Sequence, residues 1–318
     1  MSQPPAPPFS GDLLKVEPCF GNDRFTAYFL SPEQFQGVAP WVGAERALTY
    51  RHVSPHGPSD VDLDGRDGHY WHLLVWDRQG RALAGCLRMA LSRWQRGPRD
   101  GRLSYLEHCY PGLDLSLRER GLAYAEIGRT FVAPPYQRTS QVLMVLLQGM
   151  VSLPLATGHH HLLGMVSYNH FAHGDALNRR FLTSLLAAPY RDPLAVPSPR
   201  HPLTLPEEPS EPSVSDPFLS VPLVSGRLVA VHLGELERNL RERYQESFRI
   251  PVLMRCYSQF GNARVAGLSL ARDFNQITEI LMHCDLDSLT RRQRRRLVLE
   301  DLRPVWAQGP TRLPLPLG

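Results

Sequence analysis

The order of patterned segments in this chain of 318 residues predicts a mixed α/β fold. The expected architecture is a central mixed, twisted sheet flanked by helices on both faces, antiparallel early and parallel around one strand–helix–strand unit. Three observations carry the prediction. "HYWHLLVWD" (His69 to Asp77) and "ALAGCLRMALSR" (Ala82 to Arg93) are apolar runs joined only by the turn "DRQGR", the pattern of an antiparallel hairpin. "LAYAEIGRTFVAP" (Leu122 to Pro134), a long apolar run ending at Gly158 and "HHHLLGMVSY" (159–168) follow as strand, helix and strand. "QITEILMHCDL" (Gln276 to Leu286) closes the pattern with a late apolar strand.

Taken in order, "RFTAYFL" (Arg24 to Leu30) alternates and is aromatic-rich, as a first strand is. "SPEQFQGVAPWVGAERALTYRHV" opens on a Ser-Pro helix-start signal and holds one or two helices. The polar "PHGPSDVDLDGRDG" leads into the hairpin, and "SYLEHCY" is a short helix-like piece after it. "RTSQVLMVLLQGMVSLPLATG" (Arg138 to Gly158) is the strongest helix, and "DALNRRFLTSLLAA" (Asp175 to Ala188) has apolar residues at helical spacing. Residues 188–223 hold ten of the 29 prolines, so they read as an insertion or linker rather than a packed element. "LGELERNLRERYQESF" is a charged amphipathic helix, and "PVLMRCYSQFGNARVAG" (Pro251 to Gly267) reads as a strand. The expected organisation is a disordered Pro-rich N-terminus (1–22), a single domain (23–290) interrupted at about 188–223, and a basic C-terminal tail (291–318).

Composition narrows the class. Hydrophobic residues at 42% and charged residues at 21% are those of a soluble globular chain. The formal charge of +4 is mildly basic; Lys15 is the single lysine, so 34 of the 35 basic residues are arginines, which bind carboxylate and phosphate bidentately. Five scattered cysteines read as reduced thiols, no signal peptide is indicated, and the longest apolar run (Val142 to Ala156) contains Gln148 and Pro154. A cytoplasmic location follows, with peripheral contact at the inner face of an anionic membrane as an option for the basic tail.

The chemistry concentrates in "EIGRTFVAPPYQRTSQVL". Glu126 and Arg129 form a Glu-x-x-Arg pair inside an apolar strand, where burial favours a carboxylate that takes up a proton. Strand parity puts the two side chains on opposite faces unless a bulge intervenes. The double proline ends the strand, and the next helix opens on Gln137, Arg138, Thr139, Ser140 and Gln141. A helix N-terminus with an arginine suits a phosphate, and simple capping by Thr139 or Ser140 is the alternative. Asp60, Asp62, Asp64 and Asp67 make an acidic loop whose readings are a cation site, the cationic end of an amino acid, or capping and solvation. It lacks the glutamate of a calcium loop at position twelve, where Trp71 stands. The histidines of "GHHHLL" alternate in direction, so no metal is expected. "RRQRRR" has no interleaved aromatics, and nucleic acid is not an expected partner.

Beyond these readings, "ALTYRHV", "DVDLDGRDGHYWHLLVWD", "GCLRM", "EIGRTFVAPPYQR", "LGMVSY" and "RCYSQFGNARVAGLSLARDFNQITEILMHCDLDSL" follow one another in a recognisable order. The chain resembles the hemolysin-like or ornithine N-acyltransferase subfamily of the GNAT superfamily, kin to acyl-homoserine lactone synthases, over about residues 24–187 and 245–290. The resemblance implies a GNAT-like sheet and transfer of a (3-hydroxy)fatty acyl group from acyl carrier protein to the α-amine of an amino acid, ornithine above others. No cofactor is implied beyond the carrier's phosphopantetheine thioester as co-substrate. It carries catalytic roles to Glu126, Arg129 and Arg88, and substrate binding to Arg46, Arg51, Asp64, Asp67, His72 and Ser167. The phosphopantetheine arm falls to Arg138, Thr139, Ser140, Gln141 and Val142. The chain departs from the family pattern at Ser54, at Leu146 to Gly149 and at Gly164-Met165, positions that bear on acyl length and acceptor. Another acceptor, a lactone-synthase-like reaction, CoA as donor, or a non-catalytic thioester-binding role are the alternatives.

Overall fold

The computed structural model describes residues 16–51, 60–93, 104–205, 229–272, 276–300 and 302. The elements run β1 (Phe20–Gly21), β2 (Phe25–Leu30), α1 (Pro32–Gln36), α2 (Ala39–Tyr50), β3 (Trp71–Asp77), β4 (Ala82–Leu91), α3 (Tyr105–Cys109), α4 (Leu113–Glu119) and β5 (Tyr124–Val132). They continue with α5 (Gln141–Ala156), β6 (His161–Tyr168), α6 (Asp175–Leu185), α7 (Val229–Arg243), α8 (Val252–Gly261), β7 (Arg264–Ala271), β8 (Ile277–Asp285) and α9 (Arg291–Leu297). This is the mixed α/β class the sequence predicts. Contacts divide the chain into two compact units: one within Met1–Arg102, Ile127–Thr157 and Arg295–Gly318, the other within Leu103–Glu126 and Gly158–Arg294.

In the first unit the strand order is β1-β2-β3-β4-β5. The expected hairpin is present: β3 and β4 pair antiparallel from Trp71↔Met89 to Asp77↔Ala82, with a register shift between Val75 and Trp76. β2 pairs antiparallel with β3 from Phe25↔Asp77 to Leu30↔His72. The Ser-Pro start signal makes a capping box, Ser31 Oγ accepting from Gln34 N (3.3 Å) and Gln34 Oε1 from Ser31 N (2.8 Å). Phe35, Trp41, Val42, Leu74, Trp76 and Phe131 belong to one buried cluster; full burial of such side chains contributes roughly 1.5–3 kcal/mol each. The α5 helix is buried along most of its length, so it is apolar nearly all round rather than striped. Gly149 is needed there, because a Cβ would stand 2.3 Å from Leu73 Cδ2.

In the second unit the order is β5-β6-β8-β7, with β6–β8 and β7–β8 antiparallel. Leu106, Tyr110, Leu113, Leu117, Tyr124, Leu163 and Leu281 form its buried cluster.

Two expectations are corrected here. Pro251 to Phe260, read as strand, is mostly the helix α8: Met254 and Ser258, one turn apart, face inward, and Asn262 closes the helix in the left-handed region (φ 54°). The Pro-rich stretch is packed over its described part. Residues 189–205 run beside β7: Val265 N donates to Tyr190 O (2.8 Å), Asp192 N to Val265 O (2.8 Å) and Leu270 N to His201 O (2.9 Å). Proline suits this place, since an edge-covering strap needs only some of its N–H groups. The rest of the insertion from 206, the N-terminal stretch 1–15 and most of the tail beyond 302 lie outside the described residues.

Candidate functional site

The acidic loop of the first unit meets the arginines of three different elements. Residues 61–64 run extended beside α2, with Asp62 N donating to Gly43 O at 3.0 Å. Gly43 permits that approach, since a Cβ would lie 2.7 Å from both Leu63 Cγ and Val61 Cγ1. Period-two alternation then leaves Val61 and Leu63 exposed while Asp62 and Asp64 turn inward. Asp64 N donates to Asp67 Oδ2 (2.9 Å) and Asp64 Oδ1 accepts from Arg66 N (2.9 Å), which sets the turn that presents Asp67.

The result is a closed ring of alternating charge. Arg46 on α2 grips Asp67 with both terminal nitrogens (3.1 and 2.6 Å). Arg88 on β4 bridges Asp67 (3.1 Å) and Asp64 (2.8 Å). Arg129 on β5 bridges Asp64 (3.3 Å) and Asp62 (3.2 Å). Asp62 returns to Arg46 Nε at 3.7 Å, while its backbone carbonyl accepts from Arg46 Nε at 2.9 Å and also from Nη2. The ring is graded in depth. Side chains of Arg46, Arg88 and Asp67 are 1%, 2% and 4% exposed, those of Asp62, Arg129 and Asp64 18%, 19% and 24%, so one side of it reaches solvent.

Each charge is held by its neighbours. Burial pushes the Asp64 carboxyl upward, but the Arg88 and Arg129 charges and the Arg66 amide outweigh it and hold it well below the usual carboxylate range. Asp67 is lowered in the same way, burial being overcome by Arg46 and Arg88. Burial opposes the charge on Arg88, yet Tyr70, Asp67 and Asp64 raise it further, and its guanidinium lies 4.7 Å from the Tyr70 ring centre. His72, fully buried on β3, stacks on Phe35 (3.4 Å, 4°) and faces the Asp67 carbonyl through Nε2 at 2.9 Å. Burial lowers its pKa to about 3, so the ring is neutral at physiological pH.

Arg129 reaches the loop by a backbone irregularity. Its φ is 48°, a left-handed conformation rare for an arginine inside a strand. That conformation departs from regular strand geometry at the place where a bulge would be needed to bring Glu126 and Arg129 to one face. Glu126, on the portion of β5 in the second unit, is buried (2% exposed) and accepts from the Leu106 amide at 3.3 Å.

The polar turn before α5 is exposed from Gln137 to Gln141. Ser140 is the N-cap residue, but its side chain makes no capping hydrogen bond, and Thr139 Oγ1 turns back to the Tyr136 carbonyl (3.4 Å). The capping alternative is thereby removed. Val142 is buried and Arg138 exposed, so the first turn has a buried side and an open one. Of the other expected residues, Arg51 is exposed at the end of α2, and Ser167 is exposed on β6 opposite Glu279 of β8. Asp62, read in the acidic loop but given no role by the resemblance, closes the ring. The alternation of "DVDLD" was the signal that singles it out with Asp64. Among the described residues no group of three or more His, Cys, Asp or Glu is placed to hold a metal ion. None of the helices they form is long and apolar enough to cross a membrane.

With this geometry in hand, the class can be stated. Residues 46–148 match the family described as "Acetyltransferase (GNAT) domain", a segment that includes all six residues of the charge ring and the first turn of α5. About a third of the chain, the part that holds the ring, is thus similar to a GNAT acetyltransferase domain. No curated protein matches. Among solved structures, the AHL synthase TofI in complex with an inhibitor and MTA is 12% identical, covering 85% of this chain and 92% of its own (TM-score 0.38). The AHL synthase LasI is also 12% identical over 46% of this chain and 74% of its own (TM-score 0.33). FeeM, an N-acyl amino acid synthase from uncultured soil microbes, is 15% identical over 52% and 78% (TM-score 0.29). These are distant likenesses.

Proposed function

We propose that the protein is an N-acyltransferase that moves a (3-hydroxy)fatty acyl group from the phosphopantetheine thioester of an acyl carrier protein to the α-amine of an amino acid, ornithine being the favoured acceptor. The observation that carries this reading is the left-handed backbone of Arg129 inside β5. It lets one strand direct Arg129 to the charge ring while Glu126, three residues earlier, stays buried on an amide hydrogen bond.

In the reaction the amine nitrogen attacks the thioester carbonyl, the carbon–sulfur bond breaks, and the products are an amide and a free thiol. An amine attacks only when neutral, and Glu126 is assigned to accept its proton, which ends on the departing thiolate. Arg88 and Arg129 keep the catalytic role and Asp64, at the solvent side of the ring, the acceptor-binding one; Arg46, Asp67 and His72, expected to bind substrate, are buried on one another and are reassigned to its support. Arg138, Thr139, Ser140, Gln141 and Val142, at the uncapped start of α5, are assigned to the phosphate of the carrier's arm. Arg51 and Ser167 are kept as acceptor-binding residues.

Thiol release from 3-hydroxyacyl carrier protein, measured across the twenty amino acids and ornithine, tests the reading. Ornithine should support the fastest turnover, CoA thioesters should be poorer donors, and Glu126→Gln should lower kcat by roughly 10²-fold or more. No turnover with any amine, or a Glu126→Gln protein as active as the parent, would refute it.

A further inference from the structure

The second unit places another buried carboxylate against the helix that holds Glu126. Glu279 lies near the start of β8, 3% exposed, with Ser167 of β6 and Ser269 of β7 as its register partners. Its two oxygens are divided between two residues of α3. Tyr105 Oη donates to Oε1 at 2.7 Å, and Cys109 Sγ faces Oε2 at 3.8 Å. Tyr105 and Cys109 are four residues apart, so they lie on one side of this short helix and Glu279 spans it from end to end. The residue after Tyr105 is Leu106, whose amide donates to Glu126.

We infer that Glu279 is a positioning residue for the reaction: it fixes α3 through Tyr105 and Cys109, and so sets the Leu106 N–H that orients and holds Glu126. The inference rests on the reading of Glu126 as the base and goes beyond it, since the motif that spans β8 gave Glu279 no role. The two carboxylates share one five-residue helix, and Cys109 feels the negative charge of both. Four further ionisable groups lie near them, Glu107 of α3 being one. Tyr110 and Tyr124 are buried, and Asp114 accepts from the Tyr124 hydroxyl at 3.2 Å. Burial, followed by the nearby negative charge of Glu279, drives the Tyr105 phenol far above its ordinary value, so it stays a hydrogen-bond donor at every pH of interest. That permanence makes it a fixed link rather than a titrating one.

Charge and geometry at Glu279 therefore have separable effects on Glu126. Glu279→Gln keeps an acceptor for Tyr105 but removes a neighbouring negative charge, which favours ionised Glu126. Tyr105→Phe keeps the Glu279 charge but removes the 2.7 Å bond from α3 to it, which loosens the Leu106 amide bond that stabilises the Glu126 carboxylate.

The test is a carbon-13 NMR titration of the Glu126 carboxyl in glutamate-labelled protein, assigned by its loss in Glu126→Gln, together with the pH profile of kcat/KM for thiol release. Circular dichroism confirms that each variant is folded. Glu279→Gln should move the Glu126 titration down by about one pH unit and Tyr105→Phe should move it up by about half a unit, with the acid limb of the profile following each shift. An unchanged Glu126 titration in both folded variants, or shifts of the same sign, would overturn the inference. Shifts as expected with an acid limb that stays in place would leave the link from Glu279 to Glu126 standing and remove Glu126 as the base.

Discussion

Lowering the pH from 7 to 5 should destabilise the fold, with His72 making a contribution that a single substitution isolates. Its ring is fully buried between Phe35 and the Asp67 carbonyl, and burial holds its pKa at about 3. An unfolded histidine titrates near 6.5. Because the folded value is depressed, the unfolded state binds the extra proton, and stability falls as pH drops through 6.5 towards 3. At pH 5 the difference is about 1.5 pH units at about 1.4 kcal/mol each, a loss of roughly 2 kcal/mol or a factor of about 30 in the folded ratio. By pH 3 the loss reaches roughly 4 kcal/mol. The carboxylates are silent in the upper window: Asp64 and Asp67 are held below the ordinary carboxylate value, so their contribution is lost only at lower pH. His161 and His170 are also depressed, but they are common to the comparison. The comparison is with His72→Phe, which keeps an aromatic ring on Phe35 and removes the titration. Denaturant unfolding of both proteins at pH 7 and pH 5 should show the parent losing about 2 kcal/mol more than the variant. Equal losses would mean that His72 does not enter the fold neutral and buried, and the argument would fail.

Three other outcomes follow from the same geometry. Arg88→Met should cost about 3–5 kcal/mol in denaturant unfolding, since Asp64 and Asp67 lose a shared partner that is itself buried. Arg129→Ala, at the solvent side of the ring with contacts of 3.2 and 3.3 Å, should cost under about 1 kcal/mol while still lowering kcat. Arg138→Ala should raise KM for the acyl carrier thioester roughly tenfold and leave kcat within about twofold, measured by initial rates of thiol release.

Much of the architecture was legible because it rests on local patterns. The capping box at Ser31, the hairpin around "DRQGR" and the buried helix of Val142 to Ala156 each follow from residues within a few positions of one another. The failures have equally local causes. Pro251 to Phe260 hides a helical face of Met254 and Ser258 behind strand-favouring neighbours. Residues 189–205 have no periodicity because a strap along an edge is shaped by the edge, not by its own repeat. At the site, Glu126 and Arg129 stand out as charges in an apolar run, which parity places on opposite faces unless a bulge intervenes. The left-handed φ of Arg129 was not legible, because nothing in the residue type favours it.

Composition, periodicity and motif order by themselves determined the mixed α/β class, the strands that carry Glu126 and Arg88, and the exposed turn that starts α5. Only the tertiary structure decided the partnerships: that three arginines and three aspartates from an extended loop, a helix and two strands close into one ring, and that Glu279 answers to Tyr105 and Cys109. The physical reason is range. Hydrogen bonding and side-chain alternation act over a few residues and leave their trace in the sequence, whereas charge neutralisation in a buried site depends on which distant segments packing brings within about 4 Å.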